Sequence, residues 1–151
     1  MSTHRAVHVQ SSGGALELVD AQTLSPDRGQ VRVAVAACGV CGTDQAIVNG
    51  GFPGMSWPVT PGHEIAGTIA EVGAGVIDFA VGDRVAIGWF GGHCGVCIQC
   101  RKGLFIHCEK GQIPSLHYPG GYAESVTVPA NALARIPDEL SFAEAAPMGC
   151  A

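Results

Sequence analysis

The stretch VRVAV, residues 31–35, decides the fold class, because its β-branched residues alternate onto one face as in a half-buried strand. Five further short segments also predict strands: residues 6–9, 16–19, 68–72, 84–87 and 124–128. The frequent glycines and the irregular spacing of these strands favour a mainly β fold, built as a partly open barrel with short helices.

The composition excludes several other classes of protein. The 151 residues include 22 Gly and 9 Pro, too many helix breakers for a helical bundle, and the apolar fraction of 47% excludes intrinsic disorder. Only 8 Lys and Arg stand against 13 Asp and Glu, so we expect no nucleic-acid partner. The apolar run at residues 33–42 is too short to span a membrane, and the first ten residues lack a signal-peptide pattern. These features predict a cytoplasmic protein.

One helix is predicted near the end of the sequence. Ser141 and Glu144 have the spacing of a capping box, and Pro147 would kink or end the helix that follows. Because a domain rarely ends just after starting a helix, we expect the chain to be the front portion of a longer protein.

The cysteines include a group with the spacing of metal ligands. Four thiolates this close in sequence can surround one zinc ion tetrahedrally, and such a closed shell is structural. Free buried thiols are the alternative, but clustered cysteines in a reducing compartment are more often ligands. His93 and His107 flank the group and could replace one ligand. We therefore predict a zinc-binding lobe at about residues 94–108, whose pattern C-x2-C-x2-C-x7-C is made by Cys94, Cys97, Cys100 and Cys108.

Six short motifs run in order through nearly the whole chain. They are CGVCGTD at 38–44, PGHE at 61–64, VGDRV at 81–85, the four-cysteine stretch, GGYAE at 120–124 and APMGCA at 146–151. Each motif alone is weak, but together they resemble the N-terminal catalytic segment of the zinc-dependent medium-chain alcohol dehydrogenases. The resemblance implies that residues 1–151 form a GroES-like catalytic domain segment, a partly open β barrel from which the zinc-binding lobe projects.

The resemblance also implies a second, catalytic zinc ion. Cys41, His63 and Cys150 match the ligands of that ion in the family, a Cys2His set with one open position. Asp44 matches the carboxylate that orients the zinc-binding histidine. Glu64 matches the glutamate beside the zinc, and a surface or merely supporting acid is the alternative for it.

The proton path and the substrate pocket follow from the same resemblance. Thr43 matches the hydroxyl that hydrogen-bonds the substrate oxygen, whereas Ala46 stands where many relatives have a relay histidine. The path beyond Thr43 is therefore open. Trp57 and Trp89 match tryptophans that line the pocket in close relatives, and two indoles beside the zinc would favour a small primary alcohol or aldehyde. Ordinary core packing is the equal alternative for both tryptophans.

The implied activity is hydride transfer between that substrate and NAD or NADP. The nearest match to a dinucleotide fingerprint, Gly73-Ala74-Gly75, has Asp78 in the third glycine position, so it predicts a turn between strands. We expect the Rossmann domain that binds the cofactor to lie outside this chain. The segment alone would then be inactive, and the full-length enzyme is expected to be a homo-oligomer.

Two other functions remain open on the residues alone. The domain could be a zinc-stabilised, non-catalytic scaffold or binding module, which basic or aromatic surface patches would favour. It could also be a zinc hydrolase with Glu64 as the base. Cys2His ligation disfavours the hydrolase, because two thiolates leave the ion less positive than the His-rich sites of hydrolases.

Overall fold

The computed structural model describes residues 2–150 and shows a mainly β domain with two antiparallel sheets. Met1 and Ala151, the ends of the predicted domain, lie outside the described residues. The strands are β1 (Thr3–Val9), β2 (Leu16–Gln22), β3 (Gln30–Cys38), β4 (Ile65–Val72), β5 (Arg84–Ile87), β6 (Ser125–Pro129) and β7 (Ala134–Arg135). The helices are α1 (Gly42–Val48), α2 (Ile98–Arg101) and α3 (Phe142–Ala145), with 3-10 turns at Phe105–His107, Ala130–Ala132 and Pro147–Gly149.

The larger sheet has the order β6-β3-β4-β5-β7, while β1 and β2 form a separate hairpin. Two isolated bridges tie the hairpin to the rest of the domain, Ala6 to Ala123 and Val9 to Val59. The five-stranded sheet does not close on itself within the described residues, so the predicted partly open architecture is confirmed.

Among the described residues, the largest of three buried clusters is built from strands of the larger sheet. Val33 of β3 is fully buried and pairs with Ile69 on one side and Val126 on the other, which is how cross-strand apolar pairs stabilise a sheet. The pairing of β3 with β4 shifts register twice, so the buried residues of these strands do not alternate strictly. The core members are Val31, Val33, Ile65, Ile69, Val85, Ile87, Val126, Val128 and Ala132.

The six predicted strands are all present, with small differences at their ends. The strand predicted at 68–72 begins earlier, at Ile65, and the strand predicted at 124–128 begins at Ser125. The sequence analysis missed β7, because two residues are too few to show a period. Gly73-Ala74-Gly75 lies in the turn between β4 and β5, as predicted, with Gly75 in the left-handed region at φ 82°.

The helix predicted from Ser141 is confirmed, and α1 was missed. Ser141 and Glu144 form a complete capping box, and α3 ends just before Pro147. In α1 the N-cap residue is Cys41. Its side chain accepts a hydrogen bond from the Thr43 amide, and the Asp44 side chain accepts one from the Cys41 amide. Cysteine is not among the preferred N-cap residues, so the usual signal was missing. No helix among residues 2–150 is long and apolar enough to cross a membrane.

Candidate metal centres

Two adjacent strands bring the first group of ligands together. Cys38 at the end of β3 pairs with Ile65 at the start of β4, and the Gly39 amide donates to the Glu64 carbonyl at 2.8 Å. Cys41 follows β3 and His63 precedes β4, so both side chains leave the same end of the sheet. The Cys41 Sγ lies 3.1 Å from the His63 Nε2.

Asp44 fixes the geometry of both of these residues. Its Oδ1 lies 3.1 Å from the His63 Nδ1 and accepts from the Gly62 amide at 3.0 Å, and its Oδ2 accepts from the Cys41 amide at 3.0 Å. A carboxylate on Nδ1 leaves Nε2 free to bind a metal, which is the arrangement common at metal-binding histidines. His63 is fully buried and Asp44 nearly so. Asp44 therefore has the contacts of the orienting carboxylate that the resemblance implied.

Cys150 reaches the same place from the end of the chain. The 3-10 turn at Pro147–Gly149 packs its backbone on Gly88, where an ideal Cβ would lie 2.1 Å from the Gly149 oxygen. The Trp89 amide donates to that oxygen at 3.2 Å. The glycine at position 88 therefore permits a close backbone approach that holds the segment before Cys150 against the end of β5.

Glu64 completes this group. One ligand atom from each of Cys41, His63, Glu64 and Cys150 lies within 4.8 Å of the others. The Glu64 carboxylate is 2% exposed, and its Oε1 is buried without a hydrogen-bond partner. Two thiols, an imidazole and a carboxylate are a donor set that fits a zinc ion, and a positive ion would also offset the cost of burying the Glu64 carboxylate.

The protonation states of this group favour a metal ligand at Cys41. Burial opposes the thiolate, but hydrogen bonds from Thr43 and the nearby His63 lower the pKa of Cys41 below its usual value. Burial and then the charge of Cys41 raise the pKa of Cys150. Burial would lower the pKa of His63, but the hydrogen bond and charge of Asp44 raise it overall. Cys41 is thus the thiol of this pair that loses its proton more readily.

The three residues predicted to contact or line the substrate site, Trp57, Trp89 and Thr43, have different neighbours in the structure. The Trp89 ring meets the His63 ring edge-on with centroids 5.2 Å apart, and Phe52 lies 5.8 Å from Trp89. Trp57 packs against a cluster of Val9, Ile47 and Val59. The Thr43 amide donates to the Cys41 Sγ at 3.3 Å, which places Thr43 beside the first ligand.

The four lobe cysteines form a second group. One ligand atom from each lies within 4.8 Å of the others. Cys97 caps α2, Cys100 lies in that helix, and Cys108 follows the 3-10 turn. The Cys94 and Lys110 amides each donate to the Cys108 Sγ at 3.3 Å, and the Cys97 amide donates to the Cys94 Sγ at 3.4 Å. Backbone donors aimed at thiols in this way are suited to thiolates bound to a metal.

The thiols of the lobe differ in pKa. A backbone hydrogen bond from Cys100 and another from Glu109 lower the pKa of Cys97 to about 6. Burial, followed by the neighbouring Cys97, raises the pKa of Cys100 to about 12. The cluster without a metal therefore keeps a proton on Cys100, and the positive charge of an ion is what would remove it.

Sequence reasoning missed two features of these centres. The contact of Gly88 with Gly149 joins residues far apart in the chain, and a single glycine before a tryptophan carries no local signal of it. His93 was considered only as a substitute ligand, whereas its ring stacks on Phe105 with centroids 4.3 Å apart.

The chain is thus a mainly β domain with two groups of side chains, one of Cys, His and Glu and one of four cysteines, that could each hold a metal ion. Residues 27–138 match the family described as the alcohol dehydrogenase GroES-like domain. The chain therefore belongs to this family, as the six motifs indicated.

Several known proteins are similar over nearly all of this chain. Alcohol dehydrogenase patD of Aspergillus clavatus is 40% identical over 154 residues, which cover 99% of this chain and 38% of that protein. An alcohol dehydrogenase of Geobacillus stearothermophilus is 40% identical over 148 residues, which cover 97% and 44%. The crystal structure of a cobalt- and zinc-bound thermostable alcohol dehydrogenase from Pyrobaculum aerophilum has a TM-score of 0.86 at 33% identity, with coverage of 95% and 44%. The chain spans about two fifths of the length of these relatives.

Proposed function

We propose that this chain is the catalytic domain of a zinc-dependent alcohol dehydrogenase that exchanges a hydride between a small primary alcohol or aldehyde and NAD or NADP. The observation that carries the proposal is the convergence of Cys41, His63 and Cys150 with the buried carboxylate of Glu64. The relatives named above are alcohol dehydrogenases, and one of them was solved with zinc and cobalt bound.

A zinc ion held by Cys41, His63 and Cys150 would supply Lewis acidity, which lowers the pKa of an alcohol in the open fourth position. We assign the proton of that alcohol to Thr43, because its side chain hydrogen-bonds Cys41 and a hydroxyl can accept one hydrogen bond while donating another. Asp44 keeps the His63 Nε2 pointed at the ligand position. In this proposal Glu64 would occupy the fourth position only when no alcohol is bound there.

Trp89 and Phe52 supply the apolar wall in this proposal. Their rings are 5.8 Å apart, and Trp89 covers His63 edge-on. Apolar rings at this place suit the hydrocarbon part of an alcohol, which is compatible with the small primary alcohol of the proposal. Trp57 supports the wall from the cluster of Val9, Ile47 and Val59 rather than from the ligands.

The second zinc ion is assigned to the four lobe cysteines. A closed four-thiolate shell has no open position, so its role is to hold the lobe folded. Since α2 and the 3-10 turn of the lobe are only four and three residues long, the metal would supply most of the order there.

Cobalt substitution tests the open position without needing the nucleotide domain. We expect ethanol or trifluoroethanol to change the absorption of the Co²⁺-loaded chain and of its Cys97→Ser variant, in which only the Cys41–His63–Cys150 site is intact. The Cys41→Ser variant, which keeps only the lobe site, serves as the matched control and should not respond. The proposal would be refuted if the absorption spectrum did not change on addition of the alcohol, or if it changed equally in Cys41→Ser.

Hydride transfer needs the nicotinamide ring within contact distance, and such positioning is worth roughly 7–11 kcal/mol of barrier. We therefore expect no turnover from the 151 residues alone. A chimera of this segment with the remainder of the Geobacillus stearothermophilus enzyme should reduce NAD or NADP with alcohol, and Cys41→Ser should abolish that activity.

The buried Glu64 carboxylate also favours a test of the hydrolase alternative. A zinc hydrolase would cleave an activated ester with the chain alone, and Glu64→Gln would abolish the cleavage. We expect the zinc-loaded chain to show no ester cleavage that depends on Glu64. Cleavage lost in Glu64→Gln would favour the hydrolase over the dehydrogenase.

A further inference from the structure

His93 directly precedes the first lobe cysteine, and its ring is held in one plane. Phe105 stacks on it with centroids 4.3 Å apart and an interplanar angle of 26°. Phe90 lies at 5.8 Å with the same angle. The imidazole therefore lies in a stack of aromatic rings and cannot turn freely about its side-chain bonds.

The backbone of His93 is held as well. The Asn131 Nδ2 donates to the His93 carbonyl at 2.8 Å, and the His93 amide donates to the Asn131 Oδ1 at 3.4 Å. Asn131 belongs to the 3-10 turn after β6, so this clamp joins the lobe to the barrel. Both the position of the residue and the plane of its ring are thus fixed by groups outside the cysteine cluster.

With the ring so fixed, its Nδ1 faces one particular thiol. The His93 Nδ1 lies 3.9 Å from the Cys100 Sγ. Cys100 is the buried member of the cluster, 5% exposed, whereas the other three are half-buried. Cys94 and Cys108 accept hydrogen bonds from backbone amides within the lobe. Cys100 accepts a backbone hydrogen bond from Gly95, and it is also the thiol of the cluster that faces a side-chain nitrogen from outside the cluster.

We propose that His93 is a positioning residue whose Nδ1–H donates a hydrogen bond to the Cys100 sulfur when the lobe holds zinc. This inference rests on the four-cysteine site of the proposed function. Four thiolates around Zn²⁺ leave a net charge of −2, and a thiolate shielded from water needs a hydrogen-bond donor to share that charge. The imidazole N–H supplies a donor without adding a fifth ligand, and it fixes the direction of the sulfur as outer groups do at other metal sites.

Three substitutions separate the donor from the aromatic stack. His93→Phe keeps a ring between Phe90 and Phe105 and removes the N–H. His93→Asn places an amide N–H near the former Nδ1 and removes the ring. His107→Phe is the matched control, since His107 lies in the same lobe, is exposed and is followed directly by Cys108. All three are made in the Cys41→Ser background, so that zinc binds only at the lobe.

The measurement is the zinc affinity of each chain by competition with a chromophoric chelator. We expect His93→Phe to bind zinc about 10- to 100-fold more weakly, as loss of an outer-shell hydrogen bond to a ligand typically does. His93→Asn should recover part of the loss, and His107→Phe should match the parent. In the Co²⁺ form, His93→Phe should move the sulfur-to-metal band to lower energy, because a thiolate without its donor is oxidised more easily.

Two results would overturn the inference. One is parental zinc affinity in His93→Phe. The other is a His93→Asn chain at least as impaired as His93→Phe, since stacking rather than hydrogen bonding would then explain the effect. Failure of the proposed site itself is distinguishable, because the Cys41→Ser parent would then bind no zinc, or would keep it when Cys97→Ser is added.

Discussion

Gly88→Ala is the change that most directly tests how Cys150 reaches its site. An ideal Cβ at position 88 would lie 2.1 Å from the Gly149 oxygen and 2.8 Å from two further backbone atoms of that residue. These neighbours are backbone and cannot rotate away. Relief therefore requires the segment at Pro147–Gly149 to move off β5, and Cys150 moves with it.

The size of the effect follows from the overlap. Bringing the new contact to an ordinary separation requires a displacement of about 1 Å or more. Metal–ligand distances tolerate only about 0.2 Å, so the Cys150 sulfur cannot keep its place unless the displacement is reversed on binding. Forcing an extra methyl group into such a contact costs about 1–3 kcal/mol, which corresponds to a metal affinity about 5- to 150-fold weaker.

The assay is a two-step zinc titration against a chelator, in which Cys41→Ser marks the step that belongs to this site. We expect Gly88→Ala to weaken that step and to leave the lobe step unchanged. Gly42→Ala is the matched control, because Gly42 follows Cys41 directly and its ideal Cβ meets no atom within 4 Å. If Gly88→Ala binds both ions with parental affinity, the segment does not depend on this contact and the reasoning fails.

Three other changes test separate parts of the structure. Asp44→Asn removes the charge beside His63 and leaves one of three donors without an acceptor, so urea unfolding of the metal-free chain should show a loss of about 1–3 kcal/mol, and an unchanged midpoint would contradict it. Tyr122→Phe deletes a buried hydroxyl that has no hydrogen-bond partner, so the unfolding free energy should stay the same or rise by up to about 1 kcal/mol, whereas a clear loss would show that the hydroxyl is bonded. Hydrogen bonds from the Ser141 side chain and amide lower the pKa of Glu144, so the stability that this cap contributes is present above the ordinary glutamate pKa and is lost as pH falls through the lowered value. An NMR titration should show the lowered pKa and its return toward normal in Ser141→Ala; identical titration curves would refute the assignment.

The parts of the fold that sequence predicted are those with a local signal. The strand at residues 31–35 shows its period within five residues, and the cap of α3 shows its two partners three residues apart. The four lobe cysteines lie within fifteen residues of one another, so their convergence needs little more than a short turn. The convergence of Cys41, His63 and Cys150 was different in kind, because it came from the resemblance and not from spacing.

The parts that sequence missed depend on contacts between distant segments. The helix α1 was not predicted because its N-cap residue is Cys41, and cysteine is not a typical N-cap residue. The side chain of Cys41 lies beside His63. The docking of Gly149 on Gly88 and the approach of His93 to Cys100 are set by tertiary packing. A strand as short as β7 exists only because β5 offers it an edge.

The two metal centres are joined by the few residues that follow β5. Gly88 receives the segment that ends in Cys150, and Trp89 lies against His63, so the start of this stretch belongs to the first centre. At the other end of this stretch, Phe90 lies beside His93, and the His93 ring faces Cys100 of the lobe. Because the intervening residues are consecutive, neither end can shift far without moving the other. If the lobe binds a metal ion as proposed, that ion would help to hold the Trp89 ring in place beside His63 without contacting it.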